Sequence, residues 1–420
     1  MYKRQNECSD EDYKEFYRKV FNDYREPLFW IHLNMDYPFN LKGILYFPRI
    51  NTEYDSIEGT IKLYNNQVFI ADNIKEVIPE YLMLLKGVID CPDLPLNVSR
   101  SALQNDGFVN KVADYISKKV ADKLNGMFKT DRENYEKYWD DISPFIKFGC
   151  LKDEKFGEKM KNSMLYKNLD HKYMTLEDII KEAKGEEADA TKTEETKEEE
   201  TKTDAEESKD TDAKEEEKTR IFYVTDEVQQ SQYINMFKAA KMDAVILTHN
   251  IDQPFISQLE QKNEGIKFQR IDADVTDALK SKTSKKAEKE MEEQAESISK
   301  LMKKALKNDK ITVKVEKLKN KKISSMITLS EESRRMQDMM KMYSMPGMDM
   351  SAFGGEGETL ILNANHPLVQ YITEHQDGEN AEMICEQLYD LAKLQHAPLS
   401  ADAMTKFVAR SNDIMMLLTK

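Results

Sequence analysis

Residues 221–272 have the sequence IFYVTDEVQQSQYINMFKAAKMDAVILTHNIDQPFISQLEQKNEGIKFQRID. Three short runs of β-forming residues begin at Ile221, Asp243 and Ile266, and the stretches between them are long enough for helical crossovers. Strands that alternate with helices favour a small parallel sheet of β-α-β-α-β order. The segment therefore predicts that this part of the chain is an α/β fold.

A parallel sheet of this kind often binds nucleotides, but the sequence lacks the glycines that such binding needs. The turn after the first run contains no glycine, and neither GxGxxG nor GxxxxGK[ST] occurs in the chain. The six histidines are isolated and the chain has no HExxH motif, so we expect no metal site. A small-molecule enzyme that uses Asp226 or Asp272 at the strand ends stays an open alternative.

An acidic segment lies immediately before this sheet. Glu186–Lys218 holds sixteen acidic residues and six lysines, and no large apolar residue occurs between Lys181 and Arg220. Such a segment buries too little apolar surface to offset the entropy of ordering, so we predict a disordered insert. It is either a solvated linker or an acidic interaction tail.

The residues before the insert predict a mixed α/β block. Ser9 and Asp12 form a candidate capping box, and 41–50 and 60–72 are strand-like. Residues 78–90, IPEYLMLLKGVID, predict a buried helix with Pro79 at its first position. A long helix follows a loop, and its apolar stripe consists of Val109, Val112, Ile116, Val120, Leu124 and Met127.

The residues after the small sheet predict an α+β region. A helix from about Lys285 to Lys307 precedes the runs 311–318 and 324–329, which we predict to pair as strands. A methionine-rich helix, a Pro/Gly loop, a short strand at 359–362 and three helices follow.

Composition limits the classes of function. A chain of 420 residues with 40% hydrophobic residues can form two to four domains. Its net charge of −15 argues against nucleic acid as a partner. The four cysteines are scattered, and no signal peptide or apolar run of membrane-spanning length is found, so we expect a soluble cytoplasmic protein with reduced thiols.

The loop DLPLNVSRSALQND, residues 93–106, displays Arg100 without a neighbouring base or nucleophile. Prolines restrict the backbone before it, and arginine is a permanent cation with five donors. It forms either an ordinary surface ion pair or a contact to phosphate charge held elsewhere, which is electrostatic work that needs no adjacent base.

Several long stretches resemble one family. They are EFYRKVFNDYREPLFWIHLN (15–34), IKLYNNQVFIAD (61–72), EVIPEYLMLLKGVIDCPDLPLNVSRSALQND (76–106), IFYVTDE (221–227) and LILNANHPLV (360–369). They resemble the middle and C-terminal domains of the heat-shock protein 90 chaperones of the bacterial HtpG type. The resemblance implies α/β and α+β domains with these bounds: 9–130 a large α/β segment, 131–183 a helical connector, 221–280 a small α/β segment and 285–420 a dimerisation domain. Residues 1–8 are expected to be a non-native or disordered start, and 184–220 are the acidic insert predicted from composition.

The resemblance implies an ATP-dependent chaperone. In the family, the arginine at the position of Arg100 reaches the γ-phosphate of ATP, with Gln104 at the matching catalytic-loop glutamine and Phe69 docking the ATPase domain. ATP and Mg²⁺ are held by an N-terminal GHKL domain whose motifs we do not find, so the chain alone should bind no cofactor and hydrolyse no ATP. A passive dimeric scaffold without ATPase coupling is the alternative.

The chain also departs from the family pattern. Ser101 replaces an acidic residue that is common after the arginine, which weakens any salt bridge that would hold Arg100 back. Asn66 and Gln67 occupy positions that are basic in many members. The acidic insert lies inside the middle domain, whereas the better-known charged linker precedes that domain.

Two further surfaces are predicted, together with their partners. Non-native clients are expected at Tyr24 and at a flexible surface of five methionines: Met336, Met339, Met340, Met345 and Met348. The alternative is that these methionines form an ordinary packed helix. A homodimer is expected through apolar residues of the last two helices: Ile384, Leu388, Leu391, Phe407, Val408, Met415 and Leu418. The alternative is that these helices pack on the preceding domain. The resemblance also implies cochaperones of the heat-shock protein 70 system, with no nucleic acid and no membrane.

Overall fold

The computed structural model describes residues 8–49, 59–73, 77–94, 107–192, 218–273, 279–281, 285–329, 335, 358–395, 399–417 and 419, with only the helical backbone for 186–192 and 285–294. It divides into two compact units. The first is Met1–Leu165 with Pro254–Leu259, and the second is Tyr166–Gln253 with Glu260–Lys420. Mixed helices and sheets confirm the α/β and α+β fold class, and the finer domain bounds stay predictions.

The first unit contains a five-stranded sheet of order β1-β2-β5-β3-β4. All neighbours are antiparallel except β3 and β5, which are parallel. Leu41, Leu45, Ile61, Leu63 and Ile89 are fully buried on it. The strands are β1 Phe29–Met35, β2 Leu41–Phe47, β3 Ile61–Asn65, β4 Val68–Asp72 and β5 Lys86–Asp90.

The prediction of one buried helix over 78–90 is wrong. The segment forms a short 3-10 helix, Glu80–Leu84, and then β5. Gly87 allows this strand to lie close to β2, because a Cβ there would stand 2.6 Å from the Leu45 side chain and 2.8 Å from the Ile44 carbonyl oxygen. Apolar residues dominate the segment and are buried in both the 3-10 helix and the strand, so no helical period distinguishes the two elements.

The described helices of the first unit are α1 Asp10–Phe21, α2 Gly107–Thr130, α3 Arg132–Lys152 and α4 Glu154–Met160. Among them, α1 and α2 confirm the predictions made from capping and apolar spacing. The capping box of Ser9 and Asp12 is present at the start of α1. The whole predicted apolar stripe of α2 is buried. This helix leads away from the loop that carries Arg100, so its burial fixes one end of that loop.

The second unit begins with a mixed sheet of order β10-β8-β9-β6-β7. β8 pairs in parallel with both β10 and β9, which confirms the predicted β-α-β-α-β order. Helix α5 continues to Lys192, so the first part of the predicted insert is helical, while 193–217 lies outside the described residues. The elements are β6 Leu165–Asn168, β7 Tyr173–Thr175, α5 Leu176–Lys192, β8 Thr219–Val224, α6 Ser231–Ala239, β9 Val245–Ile246, α7 Asp252–Lys262 and β10 Ile266–Arg270. Leu165 and residues 254–259 of α7 are assigned to the first unit.

In the described residues, the rest of the second unit contains a three-stranded sheet and the helices α8 to α11, whose bounds follow. The expected direct pairing of 311–318 with 324–329 is wrong, because β13 lies between β11 and β12. Leu360 and Leu362 of β13 are fully buried. The elements are α8 Lys285–Leu306, β11 Thr312–Glu316, β12 Ser325–Leu329, β13 Glu358–Asn363, α9 Pro367–Glu374, α10 Ala381–Leu394 and α11 Ala401–Leu417.

Candidate docking site at the start of the arginine loop

Arg100 and Gln104 lie outside the described residues, but the structure describes both ends of their loop. The chain leaves β5 through Cys91–Leu94, which we call the loop root, and enters α2 at Gly107. Cys91 is fully buried and Leu94 is 4% exposed. On the other side, Val109 is buried in the first turn of α2. The loop therefore starts and ends on packed structure.

One asparagine side chain holds the loop root. The Nδ2 group of Asn65, at the end of β3, donates to the carbonyl oxygens of Cys91 and Pro92, at 3.1 Å each, and of Leu94 at 3.4 Å. The backbone amide of Cys91 also donates to the carbonyl oxygen of Tyr64 at 3.0 Å. The chain therefore leaves β5 along a path set by the end of β3.

A second asparagine and a carboxylate complete the anchor. Asn40 donates to the Asp93 carboxylate from its backbone amide at 2.7 Å and from its side chain at 3.1 Å. The backbone amide of Gln67 donates to the Asp90 carboxylate at 3.0 Å. Asp93 within the root and Asp90 just before it therefore accept hydrogen bonds from two different connections between strands.

The β3–β4 hairpin exposes apolar side chains beside this root. Val68 is 53% exposed and Phe69 is 46% exposed, and β4 is an outer strand of the sheet as far as the structure describes it. The Phe69 ring packs against Tyr64 at 5.6 Å between centroids, and the Lys62 ammonium lies 5.6 Å from its centroid. Large exposed apolar groups next to a positioned loop are typical of a surface that binds a partner. Phe69 therefore lies where its predicted docking role requires an accessible ring.

The site offers no reactive group of its own among the described residues. Burial raises the pKa of the Cys91 thiol to about 11, so the thiol stays protonated and weakly nucleophilic. The described part of the chain contains no cluster of side chains suited to a metal ion. The carboxylates of the small-molecule alternative are already engaged: Asp226 accepts from the amides of Val228 and Gln229, and Asp272 pairs with Arg270 at 2.9 Å.

Tyr24 is 81% exposed just after α1. The preceding residue is bonded to the first unit, because Asp23 accepts from the Tyr17 hydroxyl at 2.9 Å and from the Lys86 ammonium at 2.6 Å. Burial would raise the pKa of the Asp23 carboxyl, but the hydrogen bonds from Lys86 and Arg25 hold it well below its usual range. The Tyr24 ring is therefore exposed to solvent next to an anchored residue.

The methionines predicted to contact clients lie outside the described residues. Their segment begins close to Arg335, whose guanidinium makes a two-pronged contact with Glu260 at 2.8 and 3.0 Å. The same group donates to the carbonyl oxygen of Phe268 at 3.2 Å. The charge of Arg335 is thus committed within the chain, which sequence reasoning missed.

The two C-terminal helices differ in burial. Leu388 on α10 is 1% exposed and packs in a core with Ile298, Met302 and Val369, so its side chain is already covered within the chain. Ile384 and Leu391 are half-buried. Apolar residues with the same spacing on α10 thus serve the chain's own core, which the sequence pattern could not distinguish from a dimer seam.

Helix α11 has no buried residue. Phe407 is half-buried, while Val408 and Met415 are 50% and 55% exposed; Leu418 lies outside the described residues. Arg410 holds the helix to α10 through Glu386, at 2.7 Å, and Asp390. Beside this polar attachment, Val408 and Met415 on α11 stay exposed in the single chain.

No described helix is long and apolar enough to cross a membrane. The sequence model of the family described as "Hsp90 protein" matches residues 1–190 and 211–419. The chain belongs to the Hsp90 family. Its match leaves out 191–210, which falls within the acidic insert.

Relatives of the chain carry chaperone names. It is 36% identical over 401 residues to "Chaperone protein htpG" of Bacteroides fragilis (strain YCH46), covering 94% of this chain and 55% of the relative. It is 35% identical over 397 residues to "Chaperone protein HtpG" of Porphyromonas gingivalis, covering 94% and 54%, and 26% identical over 431 residues to that of Wigglesworthia glossinidia brevipalpis, covering 99% and 61%. The chain thus spans about half the length of the first of these Hsp90 relatives. Its chaperone family is established, and the activity of a whole protein is a matter for proposal.

The anchoring residues of the Hsp90 loop root could not be found from sequence. Asn65 and Cys91 are 26 positions apart, and Asn40 and Asp93 are 53 apart. The one local indication is the Asn65–Asn66 pair at the end of a β-forming run, which predicts a turn. It gives no indication that one of these side chains binds the loop.

Proposed function

We propose that this chain provides the client-binding, loop-positioning and dimer-forming parts of an ATP-dependent, cytoplasmic protein-folding chaperone. ATP and Mg²⁺ would be held by a GHKL-type ATPase domain that binds at the Phe69 surface, and Arg100 would reach the γ-phosphate. Gln104 would act in the same loop. The observation that carries this proposal is the anchored loop root beside an exposed apolar hairpin.

The arrangement suits an arginine that acts on a ligand held by another domain. Such a group must be held by packed structure at the base of its loop, because misplacement by an ångström lowers the rate strongly. Asn65, Asn40 and the buried Leu94 provide that base. No residue of the described chain is assigned to metal or nucleotide binding in this proposal.

Non-native proteins are the proposed clients, and Tyr24 and the methionine segment are the proposed contacts. The exposed Tyr24 ring supports the first contact. Homodimer formation is proposed through α11, because its exposed apolar residues lack a cover within the described chain. Cochaperones of the heat-shock protein 70 system are further proposed partners.

A chimera tests this function. The chain would replace the matching part of the Bacteroides fragilis relative, which leaves that protein's own N-terminal half in place. We expect the chimera to hydrolyse ATP faster than the N-terminal half alone, and to suppress aggregation of a heat-denatured enzyme more in ATP than without it. Aggregation suppression that is the same with and without ATP would instead support a passive scaffold.

A further inference from the structure

The β3–β4 hairpin and the loop root share one side chain. We propose that Asn65 is a positioning residue that couples the exposed Val68–Phe69 surface to Cys91–Leu94, the loop root. This inference deepens the proposed function and rests on it: binding of a partner to the hairpin would set the path of the chain toward Arg100.

The loop-root side of the coupling consists of three carbonyl groups. One amide group serves the carbonyls of Cys91, Pro92 and Leu94, so it fixes the root over four consecutive residues. Within the root itself, the described backbone adds one bond, from the Leu94 amide to the Cys91 carbonyl at 3.3 Å. Without Asn65, the carbonyls of Pro92 and Leu94 would lose their described partner.

The hairpin side of the coupling is a two-residue turn. Asn66 and Gln67 have φ of 50° and 66°, which places both in the left-handed region that tight hairpin turns require. The side-chain amide of Asn66 donates to the Asn65 Oδ1 at 3.0 Å, which holds the oxygen and leaves the Asn65 Nδ2 facing the root. The Gln67 amide adds the second link, to Asp90.

The exposed residues follow this turn directly. Val68 pairs with Asn65 across the hairpin, and Phe69 pairs with Tyr64. A partner that contacts Val68 or Phe69 therefore restricts the two residues that bond to the loop root. The coupling free energy between the hairpin surface and the loop root is the same in both directions. A partner that orders the hairpin therefore orders the root, and a fixed root favours the hairpin conformation that the partner binds.

Substitutions at Asn65 separate this role from simple stability. Asn65→Asp keeps the shape but replaces the donor by a charge facing three carbonyls, and Asn65→Ala removes the group. The matched control is Asn73→Gly at the other end of the same hairpin. Asn73 also bonds backbone, to Gly59 and Ile61 at 2.9 and 2.7 Å, and glycine tolerates its φ of 47°.

The first measurement uses the chain alone. Trypsin cleavage after Arg100 is followed by mass spectrometry, together with the melting temperature. We expect cleavage on the order of tenfold faster in Asn65→Asp, a smaller increase in Asn65→Ala, and wild-type cleavage in Asn73→Gly at a similar loss of melting temperature. If Asn65→Asp does not fold, the comparison of Asn65→Ala with Asn73→Gly decides. Equal cleavage in these two variants would overturn the coupling.

The second measurement uses the chimera. Asn65→Ala should lower kcat for ATP with KM for ATP within about twofold, because ATP is held by the other domain. Adding Phe69→Ala to Asn65→Ala should lower kcat less than the product of the two single effects. If Arg100→Ala lowers kcat and Asn65→Ala does not, the inference fails while the proposed function stands. If Arg100→Ala has no effect, the proposed function fails, and the cleavage assay still decides whether Asn65 holds the root.

Discussion

A charge placed on α11 should separate the proposed dimer into folded monomers. Val408 is 50% exposed on a helix that buries no residue within the chain, so Val408→Asp should barely affect the fold of a single copy. Full burial of a valine side chain contributes about 1.5–3 kcal/mol. The exposed half of Val408 therefore accounts for roughly 1 kcal/mol per copy that only a partner can provide.

Two-fold symmetry doubles this effect. Both copies lose the apolar contact, and each places a carboxylate in an apolar seam, which costs a further few kcal/mol when the charge is unpaired. A total of about 4 kcal/mol or more raises the dissociation constant of the dimer roughly a thousandfold. Sedimentation or light scattering over a concentration series measures this change, and a melting curve reports on the fold.

Ala409→Asp is the matched control, because it adds the same charge at the next position, about a quarter turn around the helix. It should leave the dimer close to wild type. A chain ending at Gln395 should also be a folded monomer, since it removes α11 and keeps Cys385, Leu388 and Ala392 in their core. A Val408→Asp protein that dimerises as tightly as wild type would refute the assignment of α11 to the interface.

Three further changes have defined outcomes. Gly126 lies inside α2 with open space where a Cβ would stand, so Gly126→Ala should raise the free energy of unfolding by about 0.5–1 kcal/mol in a denaturant titration. The lowered pKa of Asp23 stabilises the fold above pH ~4 and this contribution is lost as the pH falls below that value, so the stability difference between wild type and Asp23→Asn should shrink in acid; a constant difference from pH 7 to pH 2 would contradict this. Four methionines can be changed to serine together: Met339, Met340, Met345 and Met348. This variant should bind an unfolded model client more weakly, with dimerisation and the melting temperature nearly unchanged. A large loss of stability would show instead that these residues form a core.

Local patterns predicted the elements whose structure depends on local contacts. The capping box of α1 and the buried stripe of α2 follow from side-chain spacing along one helix. The β-α-β-α-β order of the second sheet follows from strand-like runs with helices between them. In each case the residues that determine the element are neighbours in sequence.

The wrong predictions concern elements whose structure depends on residues far away in the sequence. The segment 78–90 has buried apolar residues in both its 3-10 helix and β5, so its period could not reveal the strand. β11 and β12 pair with β13 rather than with each other, a choice made by residues more than 25 positions away. Leu388 and Val408 both belong to apolar helix faces, and only the fold shows that the first is covered and the second is not.

The candidate site divides along the same line. Arg100 and Phe69 could be singled out from sequence, by a loop with a lone cation and by a resemblance. The hydrogen bonds from Asn65 to the loop root could not be predicted. A side-chain amide that donates to carbonyl oxygens more than 25 positions away leaves no periodic pattern in the sequence.

Whether Arg100 acts on ATP is decided by the rate of ATP hydrolysis of the chimera, compared between wild type and Arg100→Ala. We expect a fall in kcat on the order of tenfold to a hundredfold, because the γ-phosphate loses a cation in the transition state. KM for ATP should stay within about twofold, and Lys111→Ala, which removes an exposed cation on α2, should leave kcat unchanged. A kcat of Arg100→Ala equal to that of wild type would contradict the claim.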